Sequence, residues 1–143
     1  MAAATIGIIG AIIGAASSGN GSSAQPGPSA AEQAMKQKDD AKFQFGVEGA
    51  KQLRDSMRNP DSFKMTKALI MEDGAVCYSY RSQNGFGGMN DGQAVLAPSG
   101  KFKSDESAGF VTLWNKECAN KTATDKTSEI GYAAGFHGLS DGN

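Results

Sequence analysis

Histidine is almost missing from this 143-residue chain: His137 is the only one, and it lies near the C-terminal end. Cysteine is nearly as scarce, with Cys77 and Cys118 alone and no C-x-x-C pair. A zinc centre needs several nitrogen or sulfur ligands, so the sequence offers no metal site. A Cys–His nucleophile would need His137 in hydrogen-bond contact with a cysteine, and its place in a polar, glycine-rich segment argues against that. Charge of one sign is lacking too. Lys and Arg number 14 against 15 Asp and Glu. No global field therefore favours nucleic acid. Lys36, Lys38, Lys42, Lys51, Arg54 and Arg58 are interleaved with acids and form no basic stripe. Asp39–Asp40 and Asp105–Glu106 are sequence neighbours, which do not face each other on a helix, so they make no general acid/base pair. Gly85–Phe86–Gly87–Gly88 lacks the Lys-Ser/Thr of a phosphate loop. The expectation is a protein that is not an enzyme and has no cofactor.

The first charged side chain is Glu32. Before it, Ala2–Ala16 is apolar apart from Thr5. As a helix this run would span roughly 22 Å, less than the ~30 Å hydrocarbon core. Gly10 and Gly14 form a G-x-x-x-G step with Ile6, Ile9 and Ile13 around it, a spacing that lets helices approach closely. The competing reading is a signal-peptide core with Ser22–Ser23–Ala24 as the cleavage site. No Lys or Arg precedes it, and a basic leader is the usual mark. An exposed apolar run of this kind must be covered by something. Ile6, Ile9, Gly10, Ile13 and Gly14 are therefore candidate contacts with other protein subunits, with membrane contact through residues 1–16 as the other outlet.

Ser17–Ser29 is a Gly/Ser/Pro linker. Ser29 and Glu32 fit a capping box, and a helix is predicted from there to Asn59–Pro60. Phe43, Val47, Ala50, Arg54 and Met57 share one face, with Leu53 beside it. Gly46 and Gly49 predict either a break or close packing at that point. The half before them is polar and reads as a solvated spacer.

Phe63–Glu72 predicts a strand with imperfect alternation and hence a bulge. Asp73–Gly74 signals a two-residue hairpin. Ala75–Gln83 is the next strand, with Val76, Tyr78 and Tyr80 on one face and Cys77, Ser79 and Arg81 on the other. Gln93–Ala97 is a third short strand, and Pro98–Lys101 a turn. A helix is expected over Glu106–Asn120, capped by Ser104 or Asp105, because Phe110, Leu113, Trp114 and Cys118 have helical spacing. Residues 122–143 read as an irregular tail, docked through Ile130, Tyr132 and Phe136. The fold class is α+β: an N-terminal helix packed on a small antiparallel β-meander, with a C-terminal helix and an apolar N-terminal arm. The chain divides into an arm and linker at 1–28, a domain at 29–121 and the tail. Cys77 and Cys118 could form one disulfide or stay as two buried thiols. Tyr78, Tyr80, Arg81, Phe86 and Asn90 are candidates for a recognition surface, since loops on a rigid scaffold often bind.

Asn59–Pro60–Asp61–Ser62–Phe63, Val76–Cys77–Tyr78–Ser79–Tyr80–Arg81 and Gln83–Asn84–Gly85–Phe86–Gly87–Gly88–Met89 together resemble a small uncharacterised domain of bacterial envelope and phage or prophage proteins. The resemblance covers about residues 49–121. It implies a compact helix-plus-antiparallel-sheet unit, often behind a signal or lipid anchor, and it is silent on activity. This chain departs from it in having no cysteine near the N-terminus. The functional expectation is a non-enzymatic structural or assembly protein, a minor bacteriophage virion component held by its apolar arm. The alternative is an envelope-tethered, periplasmic binding module.

Overall fold

The structure, a computed structural model, describes residues 26–136. The arm candidates Ile6, Ile9, Gly10, Ile13 and Gly14, together with His137, lie outside the described residues.

Helix α1 (Ala30–Asp55) opens on the expected capping box: Glu32 N–H donates to Ser29 Oγ, and Ser29 N–H donates to Glu32 Oε2. It runs unbroken through both glycines. Residues 30–41 are exposed, and burial begins with Gly46, Val47, Gly49, Ala50 and Leu53. The helix is thus a solvated rod for its first half and a packed element for its second. After a 3-10 turn (Pro60–Ser62) come β1 (Lys64–Met71), β2 (Val76–Gln83), β3 (Met89–Leu96) and β4 (Phe102–Ser104). Helix α2 (Phe110–Glu117), β5 (Ala123–Asp125) and α3 (Thr127–Ala133) complete the order.

The α+β class holds, with an antiparallel sheet in the order β4-β3-β2-β1-β5. The expected three-stranded meander is therefore enlarged at both edges. Strand β4 follows the Pro98 turn, and β5 arises from residues expected to be irregular. Strand β5 pairs with β1 through Leu69–Asp125, Ile70–Thr124 and Met71–Ala123. Helix α3 follows it directly. Asp125 Oδ1 accepts from both the N–H and the hydroxyl of Thr127, which turns the strand into the helix. Ile130 of α3 is fully buried, and Phe136 packs against the same core. Tyr132 is instead exposed.

Three successive hairpins use one loop design. Met71 N–H bonds Ala75 O, Asn84 N–H bonds Gly88 O, and Ala97 N–H bonds Lys101 O, each enclosing three residues. The third loop residue is Gly74, Gly87 or Gly100, all with positive φ of 84–95°. This is the type I turn followed by a left-handed glycine, so Asp73–Gly74 builds a three-residue loop rather than a two-residue one. The expected bulge is present between Met65 and Lys67. Strand β3 starts four residues earlier than Gln93, because Asn90, Asp91 and Gly92 pair with Ser82, Arg81 and Tyr80 despite their polarity. Helix α2 is shorter than expected. Its N-cap is Gly109 in the left-handed region, and Asp105 instead accepts a hydrogen bond from the Tyr80 hydroxyl.

Alternation assigns the two sheet faces. Met65, Ala68, Ile70, Val76, Tyr78, Tyr80, Ala94 and Leu96 form one core with α1 and α3. Met71, Cys77 and Val95 form the other with Phe110 and Cys118, flanked by Leu113 and Trp114. Cys77 and Cys118 are joined as a disulfide, with Cα atoms 6.1 Å apart, so α2 is covalently fixed to the middle of the sheet. Tyr78 lies beneath the α1 glycines and donates its hydroxyl to Gly46 O at 2.6 Å. Burial pushes the Tyr78 hydroxyl up from its ordinary value, and burial with the nearby Asp105 carboxylate does the same for Tyr80. Both folded values exceed the unfolded ones. The stability that the neutral hydroxyls supply is therefore complete below pH ~10 and drains away as the pH rises beyond it. An alkaline titration followed by tyrosinate absorbance should show Tyr78 and Tyr80 still protonated where they ionise in the unfolded chain. Coincident ionisation in the two states would contradict their burial.

Candidate interaction surface

At one end of the sheet the β2–β3 hairpin projects a single aromatic side chain. Phe86 is 100% exposed. Its neighbours Gly85, Gly87 and Gly88 carry no side chains to shield it. The loop that bears it is rigidly braced. Asn84 Oδ1 accepts from Phe86 N–H at 2.9 Å and Gly88 N–H at 3.0 Å, and Asn84 Nδ2 donates to Asn90 Oδ1 at 3.2 Å. Gln83 Nε2 donates to Gly87 O. Asn and Asp side chains often hold turns in this way.

The bracing reaches back to the 3-10 turn. Asn59 Nδ2 donates to Gln83 Oε1 at 2.7 Å, and Gln83 N–H donates to Ser62 Oγ at 2.9 Å. Ser62 Oγ in turn donates to Asn59 O. The Asn-Pro-Asp-Ser-Phe and Gln-Asn-Gly-Phe-Gly-Gly stretches are therefore two halves of one hydrogen-bonded unit. Phe63 closes it from below, stacked on Tyr80 at 5.6 Å and edge-on to Phe136 at 5.3 Å. Arg54 sits over the Phe136 ring. The Arg58 guanidinium covers Gly85 so closely that a Cβ there would come within 2.7 Å of Nη1.

Of the five recognition candidates, three reach this surface. Phe86 and Asn90 belong to the hairpin, and Arg81 is on its flank in an exposed ion pair with Asp91 at 2.9 Å. Tyr78 and Tyr80 do not belong to it. Alternation turns both under α1 and α3, and they are core residues. Gln83, Asn84, Asn59 and Ser62 are not among the recognition candidates read from sequence, although they fall within the motifs of the resemblance and Asn84–Gly85 is a turn signal by itself.

At the opposite end, where α1 leaves the sheet, a cleft of about 440 Å³ opens between α1, the end of β1 and β5. Phe43, Ile70 and Ala123 give it apolar lining, and Asp39, Glu72 and Lys126 are among its charged groups. Lys42 Nζ closes one side by donating to Glu72 O. A second cleft of about 390 Å³ lies between α2 and the β3–β4 loop, lined by Lys101, Lys116, Lys121 and the buried Glu117 among others. Among the described residues no group of three or more His, Cys, Asp and Glu side chains could hold a metal ion. Nor is any described helix long and apolar enough to cross a membrane. Comparison with known proteins returns no match: no family model, curated protein or solved structure is similar to this chain.

Proposed function

We propose that this chain is a non-enzymatic assembly and binding module, held by its apolar N-terminal arm and presenting the β2–β3 hairpin at its far end. The observation that carries this reading is polarity. Lys42 lies beside the β1–β2 loop at Glu72 and Gly74, whereas Arg58 lies on the β2–β3 loop at Gly85. Helix α1 thus runs parallel to β2, and its 26 residues measure about 39 Å at 1.5 Å each. The linker enters at one pole, the exposed half of α1 stands the sheet away from it, and Phe86 occupies the other pole. No acid–base cluster accompanies the hairpin, and its features are those of a contact surface: a preorganised backbone and one fully exposed aromatic.

The setting that the Cys77–Cys118 bridge favours is the bacterial envelope. Disulfides form and persist in the periplasm and are rare in the cytosol. In this reading the arm is the tether, and the resemblance to envelope domains agrees with it. The phage reading, a minor virion component, keeps the same architecture and replaces the tether with a capsid or tail subunit. The apolar sequence of Ala2–Ala16 favours it, because a multimeric particle would cover such a run. Fractionation of cells producing the full chain, with alkylation before lysis, tests the proposal. The expected result is an oxidised protein recovered with the envelope or with purified particles, and its loss from both when residues 1–16 are deleted. A soluble cytosolic protein with two alkylatable thiols would overturn it.

A further inference from the structure

Among the described residues, Glu117 alone is a buried charged residue, at 5% exposure. It ends α2 and lines the 390 Å³ cleft between that helix and the β3–β4 loop. No described group donates a hydrogen bond to its carboxylate. Yet no fully enclosed side-chain oxygen lacks a partner among the described residues, so the Glu117 oxygens are open to the cleft. Lys116 Nζ stands 3.9 Å from Oε1, beyond hydrogen-bond reach, and its side chain is 75% exposed. A carboxylate withdrawn from water is costly unless it is paired and hydrogen-bonded. Asp73, Lys101, Lys116 and Lys121, all exposed, line the same cleft. A simple anion would meet the Glu117 and Asp73 carboxylates, and a simple cation would meet three lysines. A ligand that carries both charges uses both sets.

We propose that this cleft binds a free α-amino acid, with its ammonium on Glu117 and its carboxylate on Lys116. Spacing selects the α-amino acid among zwitterions. Its nitrogen and nearer carboxylate oxygen are roughly 2.7 Å apart by standard bond lengths. With charge-assisted hydrogen bonds of about 2.8 Å at either end, the four atoms close a ring. Its remaining side is the 3.9 Å between Glu117 Oε1 and Lys116 Nζ. A zwitterion with widely separated charges would not close that ring. Lys101 and Lys121 reinforce the positive side, and Asp73 the negative. Half-buried Leu113 gives the wall an apolar patch, which suits an aliphatic side chain. The volume is that of an ordinary small-ligand pocket. The cleft lies at the end of the sheet away from the Phe86 hairpin, so this binding stands or falls independently of the tethered reading.

The test uses the isotopically labelled full chain in a non-ionic detergent that shields the arm, titrated with L-leucine and followed by amide NMR shifts. Saturable shifts should appear at residues 97–101 and 113–121, with a Kd of about 1 mM, a modest efficiency for so small a ligand. L-Leucinamide keeps the ammonium and lacks the carboxylate; N-acetyl-L-leucine is the converse. Each should bind about tenfold more weakly, having lost one charge-assisted end. Glu117→Gln, nearly equal in shape, should weaken leucine by about tenfold and leave N-acetylleucine no weaker. A merely structural role for Glu117 would not separate the two ligands. The three-ligand comparison on the parent protein decides even where the variant fails to fold. The proposal is overturned by leucine giving no saturable shift, by shifts that map away from the cleft, or by either derivative binding as tightly as leucine. Full leucine affinity in a folded Glu117→Gln protein overturns it as well.

Discussion

Gly49→Ala should destabilise the domain by about 2 kcal/mol and lower its melting temperature by roughly 10 °C. Replacing a helix-interior glycine by alanine ordinarily gains about 1 kcal/mol, so the expected sign is reversed. The cause is close approach: a Cβ at position 49 would collide with the Tyr78 hydroxyl and stand 2.6 Å from Leu96 Cδ2. Neither neighbour can retreat easily. Tyr78 is fully buried and tied to Gly46 O, and Leu96 is packed in the same core. Gly46→Ala should be milder, since its Cβ would meet the flexible end of Ile130 at 3.0 Å. Thermal or urea unfolding of the two variants checks the order. Tyr78→Phe in the Gly49→Ala background should recover part of the loss, a non-additivity expected of contacting residues. A Gly49→Ala protein as stable as the parent would mean that α1 does not lie where it is placed.

Loss of the Cys77–Cys118 bridge should cost about 4 kcal/mol in the chain-entropy account for a separation of 41 residues. For a domain of this size that is a large part of the total. Unfolding by urea with and without reductant reads the difference, and Cys77→Ala with Cys118→Ala should reproduce the reduced curve with a further small loss from the vacated core. Thiol titration of the native protein should find none free. Identical unfolding midpoints in the oxidised and reduced protein would reject the assignment.

Much of the sheet was legible because its signals are local. Val76 to Arg81 alternate cleanly, and the alternation gives the correct face to Tyr78 and to Cys77. The three turn glycines mark the hairpins. Ser29 and Glu32 fix the start of α1 within three residues of sequence. What stayed hidden depends on distant partners. Ala123–Asp125 is too short to show a period, and it becomes a strand only because β1 offers it an open edge. Residues 89–92 read as loop by composition, yet β2 recruits them, and Gly92 leaves room for the Tyr80 ring, which a Cβ there would meet at 2.5 Å. The hairpin site was half visible. Phe86 stood out among glycines, but the posts that hold its loop, Asn59 and Ser62, come from more than twenty residues earlier in the chain. The error at Tyr78 and Tyr80 has the same origin: an aromatic hydroxyl is compatible with a surface until a helix is known to cover it.

The position of the bridge also bears on the order in which the protein assembles. Strands β1 to β4 are joined by adjacent hairpins, and such contacts form early because each closes only a short loop. Strand β5 is different, since Met71 must find Ala123 across the whole intervening meander and α2. Once Cys77 and Cys118 are joined, the covalent route between those residues shortens to segments 71–77 and 118–123, which reduces the closure cost by about 1 kcal/mol. Oxidation would then hasten the last step: β5 and α3 dock about fivefold faster on an oxidised chain than on a reduced one, so the edge of β1 is uncovered for a correspondingly shorter time.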